Sequence, residues 1–251
     1  MTVKLVIAGC CGRMGRAIAQ AALRDAVFSI GGAFEVAGHQ SVNTDYGTVL
    51  GHDAPLLPVV GDARRAIAQG DVLVEFTVPE PTVAHAELAR ELRKPMVIGT
   101  TGLSESQIAE IKQAAREVPI VLSPNMSVGV NLLCELAELA ARRLGAEYSV
   151  TVDEAHHQHK KDAPSGTAKR LAERLAKARG VPVAEIPITY TREGEIVGDH
   201  TVLFTGPAER LELTHRAQSR EVFALGALKA AQFVVRQPPG LYDMSHVLKA
   251  T

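Results

Sequence analysis

A chain of 251 residues is long enough for one large domain or two modest ones, and 46% hydrophobic residues against 4% aromatics describe an Ala/Val/Leu-rich core of the α/β kind. Its 27 Lys and Arg nearly cancel 28 Asp and Glu, so a net charge of −1 offers no global attraction to nucleic acid or to an anionic membrane, and any anion site must be local. The apolar runs are too short to span a bilayer, the N-terminus lacks the apolar helical region of a signal peptide, and three cysteines, two of them adjacent, suit a reducing compartment, so the expectation is a cytoplasmic chain without a disulfide framework.

In chain order, short β-branched runs at 3–8, 28–34, 72–76, 96–98 and 120–122 read as buried strands alternating with helical patterns, which implies a parallel sheet covered by helices. Residues 13–23 carry helical apolar spacing, Pro81 fits the first turn of a helix running through Leu92, and Ser104 with Gln107 forms a capping box for a helix to about residue 116. The pattern changes near Ser127. Beyond it a helix is expected at 131–144, a strand at 148–155, a polar loop, a helix at 167–179, strand-like runs at 188–190, 201–204 and 211–215, and an Ala/Leu-rich helix at 221–235 that returns to the first domain. The fold class expected is α/β: an N-terminal Rossmann-type dinucleotide-binding domain (1–126 plus 217–251) with a second α+β substrate-binding and oligomerisation domain (127–216).

The first strand runs into Gly9-Cys10-Cys11-Gly12-Arg13-Met14-Gly15 and then a helix-forming stretch, the strand-turn-helix setting of a phosphate loop. Glycines let the backbone approach a pyrophosphate, and the N–H groups and dipole at the helix start stabilise its charge. Glu35, twenty residues past the last glycine, can accept hydrogen bonds from adenosine ribose hydroxyls. Val36 after it supplies no guanidinium for a 2′-phosphate, which favours NADH, although Arg13 and nearby lysines leave NADPH open. The loops Gly99-Thr100-Thr101-Gly102 and Ser123-Pro124-Asn125-Met126-Ser127 stand at strand carboxyl ends, where open α/β sheets place ligands; plain turn formation explains the same residues.

The segment Asp153-Glu154-Ala155-His156-His157-Gln158-His159-Lys160-Lys161-Asp162-Ala163-Pro164-Ser165-Gly166-Thr167 links a strand to a helix and is far more polar than a connection requires. Histidine moves protons near neutral pH, lysine supplies positive charge, and Ser165-Gly166-Thr167 offers a helix entrance suited to a carboxylate. Three histidines beside two carboxylates also admit zinc, but Lys160 and Lys161 oppose a dication and favour a dicarboxylate, so no metal is expected.

With these residues in view, the chain resembles the dihydrodipicolinate reductase (4-hydroxy-tetrahydrodipicolinate reductase) family of lysine biosynthesis over its whole length. The family pattern Glu-x-His-His-x-x-Lys-x-Asp-Ala-Pro-Ser-Gly-Thr-Ala is met from Glu154 to Ala168, and Gly-x-x-Gly-Arg-Met-Gly, Gly99-Thr100-Thr101-Gly102 and Val197-Gly198-Asp199-His200 are similar to other family signatures. The resemblance implies NADH or NADPH contacts at Gly9, Cys10, Cys11, Gly12, Arg13, Met14, Glu35, Gly99, Thr100, Thr101, Ser123, Pro124, Asn125 and Met126. It implies substrate contacts at His157, Ser165, Gly166 and Thr167, with His156 as proton donor/acceptor and Lys160 as proton donor. A small dicarboxylate substrate and a homotetramer, with no nucleic-acid or membrane partner, follow from the same likeness. The stretch from Arg192 to Ile196 is shorter than in many relatives, and Val36 and Val78 stand where some place basic or polar residues. A nicotinamide-sensing regulator would keep the glycine loop but has no use for the His156, His157 and Lys160 set.

Overall fold

The structure is a computed structural model that describes residues 2–250. The described residues divide into two compact units, 2–126 with 223–250 and 127–222.

Unit 1 begins with β1 (Val3–Ala8), α1 (Arg13–Leu23), β2 (Phe28–Phe34), α2 (Tyr46–Leu50), α3 (Ala63–Ile67), β3 (Val72–Glu75), α4 (Pro79–Glu91), β4 (Met96–Ile98), α5 (Glu105–Ala114) and β5 (Pro119–Leu122). Unit 2 follows with α6 (Val128–Leu144), β6 (Ser149–His156), α7 (Gly166–Arg179), β7 (Ile188–Arg192), β8 (Asp199–Thr205) and β9 (Arg210–Arg216). The chain ends with α8 (Glu221–Val234), β10 (Gly240–Tyr242) and α9 (Met244–Lys249), and among the described residues no helix is long and apolar enough to cross a membrane.

The first sheet has the order β10-β5-β4-β3-β1-β2 with every pairing parallel. Parallel strands are buried on both faces, which explains the near-continuous apolar runs of β1, β3 and β4. The order reverses beside β1, so the turns after β1 and β3 flank the crevice where such sheets hold ligands. Unit 2 carries a sheet in the order β7-β6-β8-β9, parallel between β6 and β7 and antiparallel elsewhere, and α6 and α7 pack their apolar sides into its core through Leu133, Ala137, Leu171 and Leu175.

Several boundaries differ from expectation for local reasons. The fourth helix starts at Pro79 rather than near Pro81, because a fixed φ and a missing N–H are tolerated throughout a first turn whose N–H groups have no helical partner. The sixth starts at Val128 rather than Asn131, since Ser127 caps it by accepting from the Val130 N–H at 3.2 Å. The strand runs at 188–190, 201–204 and 211–215 extend to Ile188–Arg192, Asp199–Thr205 and Arg210–Arg216, where ladder bonds carry polar ends into the sheet. Helices α2, α3 and α9 and strand β10 are too short to show a period and were not expected. The capping box of α5, Ser104 with Gln107, forms as its sequence indicates.

Candidate active site

In unit 1 the turn after β1 leaves no room for a side chain at two of its glycines. Gly9 adopts φ +58°, and a Cβ there would lie 2.8 Å from Thr77 Cγ2. A Cβ on Gly15 would lie 2.4 Å from the Gly9 carbonyl oxygen and 2.7 Å from Cys10 Cα, so α1 can start this near the strand only with glycine at that position. Gly12 caps α1 without a side chain, which leaves the helix start as a lining of backbone donors, with Arg13 exposed beside it. The Cys11 N–H donates to Glu35 Oε1 at 2.8 Å, so the structure brings the carboxylate after β2 to the glycine turn. Buried Tyr46, unremarked in the sequence, donates its hydroxyl to the Cys10 carbonyl at 2.9 Å and braces the turn from below.

The other candidate cofactor residues contribute mainly backbone. Cys10 is fully buried, and burial pushes its thiol well above the ordinary value, so it cannot act as a thiolate. Thr100 is buried with its hydroxyl 2.8 Å from that of Thr82, and a Cβ on Gly99 would strike the Phe76 ring at 2.1 Å. Ser123 donates its hydroxyl to the Asn125 carbonyl at 2.8 Å and so tightens the turn, Met126 is buried, and Pro124 and Thr101 are exposed. Glu75, at the end of β3, is fully buried with no sign of this in the sequence pattern; it accepts from the Thr77 N–H at 2.9 Å and bonds His85 Nδ1 at 2.6 Å, fixing the turn that faces Gly9.

In unit 2, Glu154 and His156 stand two residues apart on β6 and therefore share a face of the sheet. His156 Nδ1 hydrogen-bonds Glu154 Oε2. The opposite oxygen accepts from the Ser165 N–H at 3.0 Å, which joins the start of α7 to the strand. Arg192, at the end of β7 and paired in register with His156, donates Nη2 to Glu154 Oε1 at 2.8 Å and Nη1 to Oε2 at 3.1 Å. His200 on β8 lies opposite Glu154, with its ring 5.1 Å from that of His156 and its Nε2 3.3 Å from Ser165 Oγ. Lys160 donates to Asp162 Oδ1 at 2.7 Å, and His157, half-buried, is held through its N–H to the Ile196 carbonyl at 2.7 Å. The stretch after Arg192 is tied to the end of β6, for the Glu193 N–H donates to the His156 carbonyl at 2.9 Å.

Electrostatics divide these groups by role. Burial pushes the Glu154 carboxyl up, but the Arg192 guanidinium, the Ser165 N–H and His156 together outweigh it and hold it below the ordinary value. Burial pulls His156 below the ordinary imidazole value against the pull of Glu154, with Lys160 and Arg192 adding to the lowering. A neutral ring with Nδ1–H directed at a carboxylate presents Nε2 as a base, and Gly198 lies so near that a Cβ there would be 3.0 Å from that nitrogen. Burial holds His200 neutral down to about 3, so it packs rather than titrates. Ser165 caps α7 through Ala168 N–H at 3.2 Å and meets His200, which engages its hydroxyl in structure. Gly166 begins the helix in the open. Ligand-competent atoms of Glu154, His156 and His200 lie within 4.8 Å of one another, but the guanidinium bound to both Glu154 oxygens already provides the positive charge there and opposes a dication. Gly198 and His200 lie in a stretch similar to a family signature but carry no role in the sequence, and Arg192 carries none either; the contacts of Arg192 and His200 depend on register across three strands.

A parallel sheet whose order reverses beside β1, with a glycine turn running from β1 into a helix, is the architecture of an oxidoreductase that uses a nicotinamide dinucleotide. Residues 3–126 match the family described as dihydrodipicolinate reductase, N-terminus, and residues 129–248 the one described as dihydrodipicolinate reductase, C-terminus. The chain belongs to the dihydrodipicolinate reductase family. It is 44% identical to 4-hydroxy-tetrahydrodipicolinate reductase of Anaeromyxobacter dehalogenans over 98% of this chain and 97% of that one, and 43% identical to the enzyme of the same name from Magnetococcus marinus over 99% of both. Among solved structures, dipicolinate-bound dihydrodipicolinate reductase from Paenisporosarcina sp. TG-14 shares the fold, with a TM-score of 0.81 at 23% identity over 97% of this chain and 98% of that one.

Proposed function

We propose that the protein reduces 4-hydroxy-tetrahydrodipicolinate to tetrahydrodipicolinate, with loss of water, in the diaminopimelate route to lysine. The observation that carries the reading is the buried Arg192–Glu154–His156 chain, which makes a neutral base beside Lys160 within a segment that meets the family pattern. A nicotinamide dinucleotide, when bound, supplies the hydride. The glycine turn from Gly9 to Met14 would hold its pyrophosphate, Glu35 its adenosine ribose, and the backbone of 99–101 and 123–126 its nicotinamide end. Crowding at Gly9 and Gly15, where a Cβ would meet neighbours at 2.8 and 2.4 Å, fits a turn kept clear for phosphates. Glu35 next to exposed Val36 favours NADH over NADPH, since a carboxylate repels a 2′-phosphate and no guanidinium offsets it.

On the substrate side, His157, Gly166 and Thr167, with Ser165 capping the helix beneath them, would orient two carboxylates. Lys160 and His156 would manage protons: water leaves the ring with a proton taken from carbon, and hydride arriving at the ring requires one proton in return. The ammonium of Lys160 is the donor for that proton, and His156 exchanges one at Nε2. Assembly into a homotetramer through unit 2 belongs to the same proposal.

The test follows nicotinamide absorbance with NADH and with NADPH while the substrate is formed freshly from pyruvate and aspartate semialdehyde. Oxidation that requires substrate, and a fall of kcat by about 10²- to 10⁴-fold in His156→Gln, are expected. No oxidation with either coenzyme, given folded protein, overturns the reaction; unchanged turnover in the variant overturns the role of His156.

A further inference from the structure

We infer that Arg192 is a positioning residue for proton transfer: its forked hold on Glu154 fixes which nitrogen of His156 carries the proton and keeps Nε2 as the exchanging atom. The inference rests on the reading that His156 exchanges a proton, and deepens it. Glu154 has no exposed side-chain surface, so its carboxylate must find all its partners within the protein. Both oxygens take an N–H of the same guanidinium, while Nη2 also donates to the Asp162 carbonyl and Nη1 to the Thr191 carbonyl, each at 2.7 Å. The fork is thus fixed by its own strand, by the neighbouring strand and by the loop that bears Lys160. A fully paired carboxylate stays ionised and can only accept, which obliges His156 to place its proton on Nδ1. A lysine at this position would keep the charge but cannot reach two oxygens and two carbonyls in one plane.

The charged and titratable groups around the ring are Glu154 on β6, Arg192 on β7, His200 on β8, and Lys160 and Asp162 in the following loop. Of these, Arg192 and Lys160 oppose an imidazolium and Glu154 favours it, while His200 is neutral. Loss of Arg192 therefore makes His156 easier to protonate and loosens its tautomer.

The experiment compares wild type, Arg192→Met and Arg192→Lys by ¹⁵N NMR of the imidazoles across pH, with the His156 signal assigned through His156→Gln, and by pH profiles of kcat and KM. In Arg192→Met the His156 ionisation should rise by about one pH unit, the acid limb of kcat/KM should move with it, and kcat should fall about 100-fold while the KM for the coenzyme holds. Arg192→Lys, which keeps the cation and the fold, should retain the wild-type ionisation within a few tenths but show mixed tautomers and a smaller fall in kcat. A His156 whose tautomer and ionisation are the same in all three proteins overturns the inference, as does a loss confined to KM. The NMR titration needs no substrate, so an inactive wild type with the expected NMR shifts would refute the reaction while sustaining the positioning role.

Discussion

Gly166 separates a structural reading of the loop from a functional one. It is the first residue of α7, exposed, and an added Cβ would have no heavy atom within 4 Å. On packing grounds alone, Gly166→Ala is harmless, and the reduced freedom of the unfolded chain should stabilise the protein by about 0.4–1 kcal/mol. For a chain of this size that raises Tm by about 1–4 °C. The proposed function sets a substrate carboxylate against the N–H at this helix start, and the open space is the room that carboxylate needs. A methyl group there would displace a charge-assisted hydrogen bond worth about 1.5–3 kcal/mol, or about 10- to 150-fold in KM. Because the contact is made equally in ground and transition states, kcat should change little. The assay is a thermal melt beside initial rates over a substrate series at saturating coenzyme. A higher Tm with unchanged KM would show that Gly166 only starts a helix, and a lower Tm would show that the space is not open.

Two further outcomes follow from the geometry. His200 is held neutral to about 3, so between the ordinary imidazole value near 6.5 and that point the unfolded chain binds a proton that the folded one does not. Its stability contribution is present above pH 6.5 and is lost as pH falls, by about 2 kcal/mol at pH 5, which lowers Tm by about 4–8 °C relative to pH 7.5. His200→Gln should flatten that part of the melt-versus-pH curve, and equal losses in both proteins would absolve His200. Val36 is 73% exposed beside Glu35, so Glu35→Ser with Val36→Arg can present a guanidinium without disturbing the core. The NADPH-to-NADH ratio of kcat/KM should rise by about tenfold or more; an unmoved ratio would place the ribose elsewhere.

How much of this was legible in the sequence depends on the range of the interaction. Strand-to-turn-to-helix at Gly9–Gly15, the box at Ser104 and Gln107, and the polar run from Glu154 to Thr167 are local, and each is visible as composition within a few residues. The strand expected at 148–155 runs one residue further, to His156, and that residue is what sets Glu154 and His156 on one face. Arg192 lies 38 positions from Glu154 and meets it only because β7 pairs with β6 in the register that sets His156 beside Arg192. Tyr46 supports the glycine turn from a five-residue helix with no readable period, and Glu75 is a carboxylate inside what reads as an apolar strand. Those contacts depend on register and crossover, which a one-dimensional pattern does not encode.

On the proposed function the two candidate sites would meet anions by different physics, and the difference follows from what each anion must do. A pyrophosphate keeps its charge throughout a reaction, so unit 1 could meet it with fixed dipoles: a helix start capped by Gly12 without a side chain, beside Gly9 and Gly15, where an added Cβ would come within 3 Å of a neighbour. A substrate that must gain a proton requires partners that can change charge. Unit 2 places His156 at the end of β6, with His157 and Lys160 just after it, beside the Arg192 guanidinium and a Glu154 held below its ordinary value. Burial and two cations lower His156 below the ordinary imidazole value, and a dicarboxylate bound as proposed would bring negative charge that opposes the lowering. On the proposed function, the affinity of the ring for a proton would therefore rise as substrate binds. A net charge of −1 permits this arrangement because neither site depends on the field of the whole molecule.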